Sequence, residues 1–207
     1  MKKYTQEEFN KFEIVDGYRQ CPQGDYSLIR TFGDCNDFGD TNDFGDCDEF
    51  CIDNRFGDGN RFGDSNDFGD CNTFGIDNTF GHGNEFDDGN TFGYSNEFGD
   101  FNDFGIDNNF GGRNEFGNGN EFYDTNEFGY SNKLGDCNEF GDRNEFCIDN
   151  NFGDGNRFGH GNEFDDFNKF GDDNEFGIDS KFGDGNTFGG RNEFDEGNKF
   201  GNDCIIN

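Results

Sequence analysis

The chain has no tryptophan, one proline, one methionine and two histidines among its 207 residues. Aliphatic side chains are scarcer still: even with Phe counted in, Phe, Leu, Ile and Val make up about a fifth of the chain, close to the level at which chains stay disordered. An ordinary aliphatic core is therefore excluded. No apolar run approaches a membrane span, and the opening Met1–Phe9 has no apolar segment of the kind a secretory leader needs. The eight cysteines form no CxxC pair. Six of them (Cys35, Cys47, Cys51, Cys71, Cys137, Cys147) stand where Gly, Ser, Thr or Asp stand elsewhere, so small packing or surface residues in a reducing cytoplasm are expected, not a disulfide or metal framework. Positive charge is sparse: 15 Lys and Arg face 47 Asp and Glu, for a net charge of −32. Residues 1–30 hold five of each sign, so the excess lies wholly beyond them. Such a body repels nucleic acid and anionic membrane, and attracts cations and basic protein surfaces.

What the chain has in abundance is one hexapeptide, F-G-D-x-N-x, repeated 29 times over residues 31–204 without insertion or deletion. Phe takes 28 of the 29 lead positions, Leu134 being the exception; Gly follows the lead residue 23 times, and Asn fills the fifth position 26 times. A register that never slips is the mark of a solenoid, whose repeats bury their apolar faces only by stacking on neighbours. Asn and Phe stand two residues apart, so a strand points both inward. The expected core ladder is Phe38, Phe44, Phe62, Phe80, Phe98 and Phe116 with Asn42, Asn60, Asn78 and Asn96 beside it. Buried Asn needs partners, and amide-to-amide donation between coils would supply them. Gly, Asp and the variable residue after them are expected to form the bend, with Gly taking the unusual backbone angles.

The exceptions to the consensus give the coil length. Gly is replaced at Cys51, Asp87, Tyr123, Cys147, Asp165 and Asp195, and the next position turns apolar at Ile52, Ile76, Tyr94, Ile106, Tyr130, Ile148 and Ile178. Folded at 18 residues per coil, these leave one of three faces untouched; folded at 12, they spread over both. Three hexamers per coil follow. Ahead of the array, residues 1–30 read as a cap: Thr5-Gln-Glu-Glu8 is a capping box for a short helix, and Glu13–Arg19 a strand, an Asp-Gly turn and a second strand. Residues 205–207 are left as a tail.

With Phe32-Gly33-Asp34-Cys35-Asn36-Asp37 as its type, the array resembles the hexapeptide-repeat family in period, in the apolar-Gly pair and in the compact fifth residue. It is similar, closer still, to bacterial proteins of unassigned activity built from Phe-Gly hexamers behind a short N-terminal segment. The resemblance implies an all-β parallel solenoid of triangular section, with a left-handed coil. Family enzymes that transfer acyl groups use a His and a loop inserted between coils. Here no loop is inserted, and His82 and His160 occupy the ordinary third position, so no enzyme is expected.

Three roles remain for a non-catalytic rod. Asp46, Asp64, Asp136, Asp154 and Asp172 share one column, with His82, Asp100, Asn118 and Gly190 completing it, at a spacing that a hard cation such as calcium bridges. Spread along about 46 Å of coils, the net charge of −32 slightly exceeds the density of duplex DNA, about one per 1.7 Å. The rod is thus similar in outline to pentapeptide-repeat proteins that mimic DNA and occupy topoisomerases. Finally, Ile52, Ile106, Tyr94 and Tyr130 are candidates for side-by-side self-association, and Ile205 and Ile206 for covering the last coil or joining a second molecule end to end. A disordered chain of the nuclear-pore Phe-Gly type is the remaining alternative, opposed by the fixed register.

Overall fold

The last residue of each hexamer and the Phe after it form a strand of two residues, and this unit recurs through the computed structural model, which describes residues 1–207. Strands 18 residues apart pair in parallel, as Thr73–Phe74 does with Thr91–Phe92. They gather into three sheets of twelve, nine and nine strands. Face one runs through Phe38, Phe56 and Phe74; face two through Phe50, Phe68 and Phe86; face three through Phe62, Phe80 and Phe98. The chain visits them in the order two, one, three. The fold is thus an all-β parallel solenoid with 18 residues per coil and almost no helix, and no helix is long and apolar enough to cross a membrane.

The core is a column of benzene rings. Along each face the rings lie parallel, as Phe74 and Phe92 do at 4.8 Å and 3°. Between faces they meet edge-on, as Phe74 and Phe80 do at 5.1 Å and 84°. Both arrangements suit the ring quadrupole, each pair adding roughly 0.5–1.5 kcal/mol beyond its burial. Leu134 breaks the face-three column, and Phe128 on the same coil departs from the parallel stack, tilting 14° from Phe110 and 13° from Phe146.

Each hexamer position has a hydrogen-bonding task, which the repeat Phe152–Arg157 illustrates. Gly153 N–H donates back to Leu134 C=O, and Arg157 N–H back to Asn138 C=O, each 2.9 Å. Gly155 N–H donates forward to Asp172 C=O at 2.9 Å. The lead residue also donates forward, as Phe44 N–H does to Arg61 C=O at 2.8 Å. Two N–H groups at each corner have no sheet partner, and the two recurring polar letters of the repeat accept from them. Asp154 N–H donates to Asp136 Oδ1 of the coil before at 2.9 Å, and Asn156 N–H to Asn174 Oδ1 of the coil after at 2.8 Å. Asn156 then returns its amide to Gly153 C=O at 3.0 Å. The Asn ladder therefore runs mainly through the main chain. Direct amide-to-amide donation, expected throughout, occurs at a few places such as Asn42 to Asn60, 3.0 Å.

Glycine serves a different purpose from the one expected. Of the glycines after a lead residue, only Gly33 has a positive φ. Most of the rest lie where the coils approach closely: a Cβ on Gly111 would lie 2.7 Å from Gly93 C=O. The left-handed bend falls two residues later, where every fourth position has φ near +60°, among them Cys137 at 57° and Arg143 at 58°. Most of these residues are not Gly. The ladder bonds on both sides hold a conformation that costs an L-residue about 1–2 kcal/mol.

The N-terminal residues lie across the first coil. Helix α1, Gln6–Phe9, is closed by the reciprocal Thr5–Glu8 bonds read from the sequence. Strands β1, Ile14–Val15, and β2, Tyr18–Cys21, form an antiparallel hairpin about Asp16-Gly17, and β2 pairs in parallel with β3, Asn36–Phe38. Phe9 packs on Phe32 and Phe38, while Tyr26 stacks on Phe44 as one coil stacks on the next.

Candidate interaction surfaces

Three kinds of residue reach the outside: the sixth position on the flat faces and the third and fourth positions at the corners. On face two the sixth positions form a stripe of carboxylates, Glu49, Asp67, Glu85, Asp103, Glu121 and Glu139, one per coil. Glu175 and Glu193 continue it beyond Arg157, which pairs with Glu139 and Glu175 at 3.8 and 3.4 Å. Faces one and three mix cationic, neutral and acidic residues and carry ion pairs between coils, such as Lys133–Glu115 at 2.5 Å. The exceptions at the second and third positions that mark the 18-residue coil do not mark the acidic stripe, whose signal in the sequence is the sixth position spaced at 18 residues.

The field of this stripe acts on its own members. Burial raises the Asp103 carboxyl above its ordinary range, and the charges of Glu121 and Glu85 raise it further. Asp87, at the edge of the same face, is raised by burial and then by Asp67 and Asp70. Tyr123 is raised chiefly by the charge of Asp103. Asp48 stands in the Asn column with its carboxyl fully enclosed; burial raises it, and Arg30 at 3.1 Å opposes that rise. In the lid the direction reverses. Asp25 is lowered by the Ser27 hydroxyl and Glu8 by the Thr5 N–H.

The column read as a candidate cation ladder lies along one corner, between faces three and two, and one oxygen of each of its carboxylates joins coil to coil. Asp64, His82, Asp100, Asn118, Asp136, Asp154, Asp172 and Gly190 each donate their N–H to the side chain one coil back, beginning at Asp46 Oδ1. His82 and His160 take part through Nδ1, each accepting from the next coil's N–H, so they serve as substitutes for Asp. No group of three or more His, Cys, Asp or Glu side chains converges as a metal site. All eight cysteines are free thiols, and burial pushes Cys21 up to about 12.

The apolar substitutions divide between two corners. Ile52 and Ile106 lie three coils apart among aspartates on the corner between faces two and one, and do not meet. Tyr94 and Tyr130 lie on the corner between faces one and three, two coils apart, with ring centroids 6.1 Å from each other across Gly112. Ile205–Ile206 neither folds over the last coil nor stands apart from it. It forms a strand beside Thr187–Phe188, so Ile206 takes the next lead position, with both isoleucines exposed. The chain matches no protein-family model, no curated protein and no solved structure.

Proposed function

We propose that the protein is a non-catalytic interaction protein, a rigid rod that presents face two to a basic protein surface. The carrying observation is the file of outward carboxylates from Glu49 to Glu139, interrupted by no cation over six coils. Parallel coils about 4.8 Å apart hold these charges at a fixed pitch, so the cost of gathering like charges is met by the fold. A basic partner relieves it on binding. The overall charge of −32 on about 46 Å of coils favours a partner that otherwise grips a polyanion, such as a DNA-handling enzyme. In this reading the coil is left-handed, as in the hexapeptide-repeat family it resembles, and the free thiols suit a reducing compartment such as the cytoplasm.

A 20-residue oligolysine peptide tests this by titration at low and moderate salt. Exposed ion pairs contribute roughly 0.2–1 kcal/mol each, and about 1.4 kcal/mol is tenfold in affinity. Neutralising Glu85, Asp103 and Glu121 together as Gln, Asn and Gln should therefore weaken binding about tenfold. Neutralising Glu127, Glu145 and Glu163 on face one removes the same charge and should cost far less. Equal losses from the two sets would refute a role for face two and leave only diffuse charge.

A further inference from the structure

On the corner between faces one and three, five successive coils present Ile76, Tyr94, Gly112, Tyr130 and Ile148. The four side chains are between 41 and 49 % exposed, in a row about 19 Å long, and Gly112 is covered between the tyrosines. The ridge interrupts the aspartate ladder. Ile76 N–H still bonds Asp58 and Asp184 N–H bonds Asp166, yet the five corner N–H groups between them, from Tyr94 to Asp166, have no side chain to receive them. The chain gives up five consecutive bonds here to expose apolar groups.

The ridge also reads the same in both directions. Tyr94 and Tyr130 flank Gly112, Ile76 and Ile148 lie one coil further out, and Asp58 and Asp166 follow, then Asp40 and Asp184. The neighbouring fourth-position column has the same symmetry, with Ser95 and Ser131, then Asp77 and Asp149, on either side of Arg113. A two-fold interface requires a surface complementary to itself. A two-fold axis through Gly112, perpendicular to the rod, provides it: Tyr94 meets Tyr130 of a second copy, and Ile76 meets its Ile148. On face three the same axis sets Glu97 opposite the second copy's Lys133, and on face one Arg55 opposite its Glu163. It also sets Asp58 against Asp166, Asp77 against Asp149 and Arg61 against Lys169, so the apolar ridge and not charge holds the pair together. Gly112 lies near the middle of the array, so two antiparallel rods overlap along most of their length.

We infer that this ridge is the interface of an antiparallel homodimer centred on Gly112. The inference rests on the reading of the chain as a surface-acting rod, though not on face two, which lies opposite this corner and stays open on both copies. Apolar contact between two polyanions gains from charge screening, whereas binding of a basic partner loses by it. Dimerisation should therefore strengthen with salt.

Sedimentation equilibrium at low and high salt reads the mass against the 23.4 kDa of one chain. Wild type should reach twice that mass, more readily at high salt. Tyr94→Asp restores a ladder acceptor for Gly112 N–H, so it should fold at least as well while remaining monomeric and still binding oligolysine. Glu97→Lys should weaken the dimer, and adding Lys133→Glu should restore it. A monomeric wild type at high salt, or an unaltered dimer in Tyr94→Asp, would overturn the proposal. A dimer indifferent to the Glu97–Lys133 exchange would overturn the register about Gly112.

Discussion

At the scale of single residues, the hexamer is a list of backbone needs as much as a packing code. Phe fills the core and Gly admits the neighbouring coil. Asp and Asn receive the two corner N–H groups that no sheet can take. Asn96 shows what the fifth letter contributes: its Oδ1 accepts Asn78 N–H at 2.9 Å, and its amide donates to Gly75 C=O at 3.1 Å. Leaving a buried donor unmet costs about 1–3 kcal/mol. Asn96→Ala should lower the urea unfolding free energy by that amount, and a loss within error would contradict this role. The inward direction of Asn was legible from its two-residue offset to Phe. The bend was not, because Gly marks close approach while the left-handed position is occupied by residues such as Arg143 and Cys137 that give no sign of it.

At the scale of coils and faces, the 18-residue turn was legible because apolar exceptions such as Ile52 and Tyr94 avoid one corner altogether. What each face carries depends on the sixth position, which varies from coil to coil and has no consensus letter in the hexamer. The carboxylates of face two give the fold an unusual response to acid. Asp103 and Asp87 titrate above their ordinary range when folded, so the native state holds more protons than the unfolded chain. Their stabilising contribution is complete below the ordinary carboxylate range, near pH 4, and is lost as pH rises through the raised folded values. Glu8 and Asp25 in the lid are lowered and act oppositely, giving up stability as pH falls below that range. The urea midpoint should therefore be higher at about pH 5 than at neutrality, and Asp103→Asn should narrow the difference. A wild-type midpoint that falls steadily on acidification would contradict the account.

At the scale of the molecule, the three corners and three faces divide the work. Face two concentrates negative charge, the opposite corner carries the apolar ridge, and the aspartate ladder between faces three and two ties coil to coil. Nothing in this arrangement exists without stacking, since each hexamer takes its hydrogen-bond partners from the coils before and after it. Small-angle X-ray scattering at low salt, where a single rod is favoured, tests that central claim. A stacked array about 46 Å long with its lid should scatter as a short stiff rod. Raising the salt should thicken the cross-section with little change in length. An expanded chain, with a radius of gyration near the roughly 49 Å of an unfolded polymer of this size, would contradict the account.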